Sequence, residues 1–216
     1  MPLQFDDDKE PCRRVVGGIQ LAFVRQLTLL LRQRLGSVVG EIRQGLATKQ
    51  VHAQPAGGPG VSGVGARKTP DANVHACIRR GVNVVQLNLE EGLALFEDQS
   101  FDVVLQLETL QHLRNTERML RETVRVGRIG VVAFPNFAHW PNRLSVLRGR
   151  MPVTRRLPYQ WYDTPNIRVG TYKDFEVLAT KNSLRILDSF GLQDGEEVRW
   201  LPNARAGTAV FHFEHA

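Results

Sequence analysis

Tryptophan and tyrosine are absent from the first third of this 216-residue chain, acids are nearly absent from 11–70, and cysteine is rare throughout. None of the three tryptophans or three tyrosines occurs there, and residues 11–70 hold a single acid, Glu41, against nine lysines and arginines. Cys12 and Cys77 are too few for a disulfide framework, and no secretory pattern precedes them, so we expect a reducing, cytoplasmic compartment. The most apolar window, residues 19–35, is shorter than a bilayer span and holds three arginines, so we expect no membrane-spanning helix.

The net charge of +6 comes from one segment of the chain. The charge is −3 over residues 1–10, +8 over 11–70 and +1 over 71–216. We therefore divide the chain into a basic, Gly-rich segment, 1–65, with a helix near 19–35, and an α/β domain, 66–216. Residues 54–70 are typical of a turn or linker. Because the basic segment has no interleaved aromatic residues and no recognised motif, its charge is weak evidence for a nucleic-acid partner.

From residue 69 onward the hydrophobic pattern becomes regular. Continuous apolar runs predict buried strands at 82–89, 101–108 and 130–135, and helical patterns cover 69–81 and 115–127. Thr171 and Asp174 have capping-box spacing, which predicts the start of a later helix. Two further strands, at 184–192 and 208–214, are predicted to form a hairpin. Strands alternating with helices over short connections predict an α/β fold with a parallel sheet.

Ligands of open α/β sheets bind at the carboxyl ends of the strands, so the residues there are candidate site residues. They are Asn88, Leu89, Glu90 and Glu91; Glu108, Thr109, Gln111 and His112; and Asn136, Phe137, His139 and Trp140. We predict that Asn88, Leu89, Leu107 and Thr109 bind a cofactor. The Asn88 amide can accept a hydrogen bond from adenine and donate one to it, or it can cap a turn. His112 can act as a general base or as a structural hydrogen-bonding group, and we assign no catalytic residue and no metal site.

The segment 135–170 is dense in proline and aromatic residues. No acid lies between Glu122 and Asp163, whereas seven arginines do. This positive charge suits an acidic partner surface or an anionic ligand, and the alternative is a solvated loop. Our candidate partner-binding residues are Arg148, Arg150, Arg155, Arg156, Tyr159, Trp161 and Tyr162.

Three stretches, SFDVVLQLETLQHL, RVGRIGVVAFPNFAHW and GRMPVTRRLPYQWYDTPNI, resemble the methionine-biosynthesis protein MetW family in order and spacing. The resemblance runs from about residue 71 onward, and residues 1–65 do not share it. It implies a Rossmann-like class I S-adenosylmethionine-dependent methyltransferase fold, in which 135–170 is an insertion over the ligand cleft. It also implies an accessory or activating role beside a homoserine O-acyltransferase in methionine biosynthesis. The alternative is an S-adenosylmethionine-dependent methyltransferase of unknown acceptor.

The chain departs from the class I methyltransferase pattern where the cofactor is expected. That pattern opens with an apolar strand that runs into an Asp-x-Gly-x-Gly-like loop, and neither is readable here. The run GPGVSG at 58–63 follows no apolar strand and opens no helix. Arg67 stands where a ribose-binding acid is expected, and Arg168 stands where a histidine is expected. We predict that the first strand and glycine loop are missing or replaced, which leaves an apolar sheet edge unpaired.

Two explanations of this departure stay open. Residues 1–65 can come from a shifted reading frame or a misplaced start, which their Arg-rich composition and lack of tryptophan and tyrosine favour. They can also be a genuine basic arm, with the helix near 19–35 making the contact with another molecule.

Overall fold

The computed structural model describes residues 50–55, 62–65, 83–86, 88–154 and 156–216, the first three ranges as backbone. The strands are β1 (Gln50–Pro55), β2 (Ser62–Gly65), β3 (Asn83–Gln86), β4 (Phe101–Leu107), β5 (Gly127–Pro135), β6 (Leu184–Gln193), β7 (Glu196–Val198) and β8 (Thr208–His215). The helices are α1 (Thr116–Val126), α2 (Trp140–Leu147), α3 (Tyr172–Lys181) and the short α4 (Pro202–Arg205). Single 3-10 turns cover Leu89–Glu91 and Leu110–His112.

The strands form one mixed sheet in the order β3-β2-β1-β4-β5-β8-β6-β7. Strands β2, β3, β4, β5 and β6 run in one direction, and β1, β7 and β8 run in the other. The predicted α/β fold is confirmed, and β4 and β5 pair in parallel as expected. The antiparallel pairing of β1 with both of its neighbours was not predicted. Strands β6 and β8 pair antiparallel as predicted, although β7 and α4 lie between them in the chain.

Strand β1 lies inside the sheet, next to β4, and is antiparallel to both of its neighbours. Val51 lies opposite Gln106, and Pro55 lies opposite Phe101 at the start of β4. The prediction that the first strand is missing or replaced is confirmed, and the replacement runs in the opposite direction. The expected unpaired edge was wrong, because sheet hydrogen bonds join backbone groups and any extended segment can supply them.

Two further expectations for this part of the chain need correction. Residues 54–70 were expected to form a turn or linker, but they include all of β2. The strand expected at 82–89 is the shorter β3. It lies at the edge of the sheet, and β2 and β1 separate it from β4. The helices predicted near 19–35 and at 69–81 lie outside the described residues.

The two helix starts that were predicted from local pattern within the described residues, near 115 and at Thr171, are confirmed. The Asn115 side chain accepts a hydrogen bond from the Arg118 amide at 3.1 Å, which caps α1. At the start of α3, Thr171 Oγ1 accepts from the Asp174 amide at 3.1 Å, and Asp174 Oδ2 accepts from the Thr171 amide at 3.2 Å. These reciprocal bonds satisfy backbone donors that the first turn of a helix leaves without partners.

An aromatic cluster fixes α3 against the sheet. The ring centroid of Phe211, in β8, lies 4.4 Å from that of Phe175 and 4.5 Å from that of Tyr172, both in α3. Phe134, near the end of β5, lies 5.5 Å from Phe175. Aromatic pairs at these separations add to the stabilisation from burial of their apolar area. The first turn of α3 is therefore held beside the carboxyl end of β5.

None of the helices within the described ranges is both long enough and apolar enough to cross a membrane.

Candidate functional site

Polar residues from several elements meet at the carboxyl edge of the parallel strands. Glu108 directly follows β4, and Asn136 directly follows β5. Because β8 runs the opposite way, its start lies at the same edge: the Asn136 amide donates to the Gly207 carbonyl at 2.9 Å. Gln193, at the end of β6, accepts from the Gly207 amide through Oε1 at 3.0 Å. Three strand ends and one strand start therefore build a single polar site.

Glu108 is the buried carboxyl of this site, 6% exposed, in the left-handed backbone region with φ of 53°. Gln111 Nε2 donates to Glu108 Oε2 at 2.8 Å. Burial raises the pKa of Glu108 to about 7, and the opposing effects of the Arg156 charge and the Gln111 hydrogen bond are smaller. The Glu108 carboxyl can therefore gain or lose a proton near neutral pH.

The insertion places Arg156 near the same edge, beside Gly207. A Cβ atom on Gly207 would lie 3.4 Å from Arg156 Cγ and 3.5 Å from His139 Nδ1, so the three residues are immediate neighbours. Burial lowers the pKa of His139, Asp194 raises it and Arg156 lowers it further, with a net downward shift. A lowered pKa favours the neutral imidazole, which can accept a hydrogen bond from a ligand.

Asn136 holds the two sides of the site together and is 1% exposed. Its Nδ2 donates to the Ala206 carbonyl at 2.8 Å and to the Asn203 carbonyl at 3.0 Å. Its Oδ1 accepts from the amides of Ala138 at 3.1 Å and Tyr172 at 3.2 Å. One side chain thus links the end of β5 to the α4 turn and to the start of α3.

Buried side-chain oxygens without a hydrogen-bond donor are concentrated near this edge. Among the described residues they include Gln111 Oε1, Asn142 Oδ1, Asn203 Oδ1 and Thr208 Oγ1. A buried acceptor without a donor costs about 1–3 kcal/mol. Several such acceptors in one region therefore favour a site where donors of a bound molecule complete the hydrogen bonding.

The end of the insertion lies across the residues that follow β4. The amides of Ile167 and Arg168 both donate to the Gln111 carbonyl, at 2.9 and 3.0 Å. His112 Nδ1 lies 3.0 Å from the Pro165 carbonyl oxygen, which agrees with the structural reading of this histidine. These contacts support the expectation that the insertion covers the carboxyl edge.

The four predicted cofactor-binding residues are engaged within the chain. Asn88 caps the first 3-10 turn: its Oδ1 accepts from the Glu90 amide at 3.3 Å, and its Nδ2 donates to Glu91 at 2.5 Å. Leu89 and Leu107 are buried, and Thr109 Oγ1 donates to the Leu107 carbonyl at 3.1 Å. Binding of a cofactor by these four residues stays a prediction. The internal hydrogen bonds of Asn88 and Thr109 do not support it.

The direction of β1 also bears on S-adenosylmethionine. Strand β1 ends at Pro55, opposite Phe101, so its carboxyl end lies at the edge where β4 begins, away from Glu108. The glycine loop of the class I pattern should follow the first strand at the carboxyl edge. The residues that the structure describes therefore do not fit an adenosyl group held in the class I manner.

The predicted partner-binding residues fall into two environments. Arg148 and Arg150 are exposed, and so are Trp161 and Tyr162, at 71% and 72%. Trp161 and Tyr162 stack edge to face with ring centroids 5.7 Å apart. Tyr159 and Arg156 are half-buried, and Arg156 belongs to the polar site instead of the open surface. Arg155 lies outside the described residues.

Sequence reasoning missed Gln193, at the end of β6, and three residues of β8 and its approach: Asn203, Gly207 and Thr208. Candidate residues were taken only from the positions that follow the first three predicted strands, so Gln193, which follows the predicted strand 184–192, was not considered. An antiparallel strand places its first residues at the same edge, so a predicted hairpin partner could have indicated Thr208.

Comparisons with known proteins agree with this architecture. The family model described as methionine biosynthesis protein MetW matches residues 50–213, starting before the resemblance seen in the sequence. The bifunctional methionine biosynthesis protein MetXA/MetW of Rhodopirellula baltica is 34% identical over 148 residues, which cover 65% of this chain and 24% of that protein. The match thus spans about a quarter of the relative's length.

Two solved structures show the same fold at low sequence identity. One is a S-adenosylmethionine-dependent methyltransferase of Thermotoga maritima, described as a possible histamine N-methyltransferase: 16% identity, 72% of each chain, TM-score 0.50. The other is a S-adenosylmethionine-dependent methyltransferase of Clostridium acetobutylicum: 9% identity, 72% of this chain and 74% of that one, TM-score 0.50. These two likenesses show the fold alone. The family model, which matches 50–213, shows that the chain belongs to the methionine biosynthesis protein MetW family.

Proposed function

We propose that this chain is an accessory subunit of methionine biosynthesis that binds and activates a homoserine O-acyltransferase. The observation that carries the proposal is the Rhodopirellula baltica relative, whose name joins MetXA and MetW in one bifunctional protein. Fusion of two functions keeps them at a high effective concentration, which is useful when the two parts contact each other. A cytoplasmic location is part of the same proposal.

The insertion supplies a surface suited to a protein partner. Besides Trp161 and Tyr162, it exposes Trp140, Leu147, Met151, Val153 and Ile167. Exposed aromatic and apolar side chains beside arginines are the composition of interface hot spots, and monomers rarely leave such groups together in water. Because the acid-free run surrounds Arg148 and Arg150, we propose that the partner presents an acidic surface.

The binding test uses the full chain and the homoserine O-acyltransferase of the same organism, with the dissociation constant measured by calorimetry. We expect Arg148→Glu with Arg150→Glu to weaken binding at least about tenfold. Trp161→Ala with Tyr162→Ala should weaken it by a similar factor. Arg128→Glu with Lys173→Glu is the matched control, because it makes the same charge change at exposed positions outside the insertion.

Homoserine acylation by the acyltransferase, measured with and without the chain, is the second readout. Activation should be lost in the two insertion variants and kept in the control. Absence of a complex with the unmodified chain would refute the proposal. Equal weakening by the control variant would remove the insertion as the contact surface.

The alternative function is methyl transfer from S-adenosylmethionine to an unknown acceptor. The likeness to methyltransferase structures supports it, whereas the reversed β1 and the engaged Asn88 side chain do not. Calorimetric titration of the full chain with S-adenosylmethionine separates the two functions. We expect no binding heat, and saturable binding at about micromolar concentration would favour the methyltransferase.

A further inference from the structure

A pocket of about 280 Å³ lies beside the polar site. Its walls come from the second 3-10 turn, the end of β5, the end of the insertion and the first turns of α3. The floor is apolar and consists of Leu110, Phe134, Phe175 and the half-buried Leu178. This volume is near the lower end of pockets that hold small molecules, so the pocket suits a compact ligand with an apolar body.

Two exposed side chains of opposite charge line the same pocket, Arg168 and Asp174. Arg168 Nη2 donates to the Arg114 carbonyl at 2.7 Å, and no other guanidinium hydrogen bond is made within the described part of the chain. A guanidinium carries five N–H donors, so Arg168 keeps donors for a carboxylate. Asp174 uses Oδ2 for the helix cap, and its Oδ1 accepts no hydrogen bond from the described residues.

The helix cap decides which charged ligands are acceptable. The first turn of α3 already holds the Asp174 carboxylate through the capping box, so the positive end of that helix is compensated. A phosphate or other polyanion placed there would meet the Asp174 charge. An ammonium group would instead be attracted to Asp174, while Arg168 attracts a carboxylate.

A third polar group lies deeper. Gln111 lines the pocket, is 8% exposed, and has a buried Oε1 without a hydrogen-bond donor. Its Nε2 is committed to Glu108 at 2.8 Å, which restrains the amide. Because Oε1 is shielded, a ligand's ammonium or amide donor reaches it only if the pocket wall moves slightly on binding, and no internal bond to Oε1 is then lost.

We propose that this pocket binds a free α-amino acid with an unbranched, apolar side chain. The carboxylate pairs with Arg168, the ammonium with Asp174, and the side chain lies against Phe134 and Phe175. A thioether is favoured over a hydrocarbon of the same length, because sulfur makes favourable contacts with aromatic rings. The bound molecule connects the end of the insertion to the first turn of α3. This site does not depend on the proposed acyltransferase partnership.

The first experiment is calorimetric titration of the full chain alone with L-methionine as the probe. We expect saturable binding with a dissociation constant of about 1 mM or lower. L-norleucine should bind within a few-fold of L-methionine, and L-homoserine should bind about tenfold or more weakly because it cannot fill the apolar floor. The α-keto acid of methionine lacks the ammonium and 3-methylthiopropylamine lacks the carboxylate, so each should also lose about tenfold or more.

Variants identify the groups that bind. Arg168→Gln and Asp174→Asn should each weaken L-methionine binding about tenfold or more, whereas Arg121→Gln and Glu176→Gln, at exposed helix positions outside the pocket lining, should not change it. Asp174→Asn keeps a cap oxygen, and its thermal midpoint checks that α3 is intact. Leu178→Phe reduces the apolar volume and provides a second variant that does not touch the cap.

Three outcomes would overturn the proposal. The first is no binding heat and no rise in thermal midpoint with L-methionine or L-norleucine at about 10 mM. The second is unchanged binding in Arg168→Gln, Asp174→Asn and Leu178→Phe together. The third is equal binding of the amino acid and its two analogues, because a zwitterion would then not be recognised.

Discussion

Replacing Asn136 with alanine tests the architecture of the polar site. The side chain makes two close donor bonds, to the carbonyls of Ala206 and Asn203, and a longer one of 3.5 Å to the Pro202 carbonyl. It also makes two acceptor bonds, from the amides of Ala138 and Tyr172. Alanine removes the four close bonds and the longer contact with Pro202. The site is buried, and the four backbone groups would lose a partner in a place that water reaches poorly.

The magnitude follows from the number of bonds. A typical intramolecular hydrogen bond contributes about 1 kcal/mol net, and a buried group left without a partner costs about 1–3 kcal/mol. Some of the four groups will be satisfied by local movement, so we expect Asn136→Ala to lower the free energy of unfolding by about 3–5 kcal/mol. That loss is a large fraction of the total stability of about 5–15 kcal/mol for an ordinary domain.

Urea unfolding followed by far-UV circular dichroism is the suitable assay. Tryptophan fluorescence is less useful, because Trp140, Trp161 and Trp200 are all exposed in the folded chain. Asn115→Ala is the matched control: it removes an exposed amide with one capping bond, and should cost about 1 kcal/mol. The reasoning is refuted if Asn136→Ala costs no more than Asn115→Ala.

A second substitution at the same position separates donors from acceptors. Asn136→Asp keeps the shape and the acceptor oxygen, but it turns an oxygen toward the Ala206 and Asn203 carbonyls. The folded chain can retain a donor there only when the new carboxyl is protonated, so its pKa in the folded state must rise above the ordinary value of about 3.9. Stability of this variant should therefore be best at low pH and should fall as pH rises. A pH-independent difference from the unmodified chain would contradict this argument.

Three further predictions concern other parts of the fold. Burial raises the pKa of Glu108 from 4.5 to about 7, so the folded chain binds this proton more tightly than the unfolded chain. The contribution of the Glu108 proton to the free energy of unfolding is complete below pH 4.5 and is lost as pH rises to about 7. Glu108→Gln should flatten the pH dependence of the free energy of unfolding, measured by urea titration over this range. Gly191→Ala should destabilise the chain by about 1–3 kcal/mol in the same assay, because the added methyl would overlap the side chain of Ala206. An unchanged urea midpoint would show that β6 shifts to accommodate the methyl group without a loss of stability. Arg125→Met should cost about 1–2 kcal/mol, because Arg125 bonds Glu122, Asp98 and two carbonyls of the segment before β4. Thermal unfolding checks this value, and no loss would mean that the ion pairs of the half-buried Arg125 contribute nothing to stability.

Local sequence pattern was sufficient for the elements whose stability is local. Asn115 and Thr171 mark helix starts because their side chains bond amides only three residues away. The strands β4 and β5 were predictable because their continuous apolar runs favour burial on both faces of a sheet. The candidate positions Glu108 and Asn136 followed from the same reasoning, since the residue after a strand lies at the sheet edge.

The direction of β1 and the order of the strands could not be read in this way. Backbone hydrogen bonds form the ladder of a sheet, and they do not report which neighbour or which direction a short strand will take. The approach of Arg156 to Glu108 and the pocket between Gln111, Arg168 and Asp174 depend on that order, since they join residues far apart in the chain.

The sequence by itself determined the family, the helix starts and the strands whose apolar runs demand burial. The tertiary structure alone decided which polar side chains share a site, because proximity at a sheet edge is set by strand order and direction. Asn88 is an example. From the sequence its amide could bind a ligand or cap a turn, and in the structure it caps the 3-10 turn Leu89–Glu91.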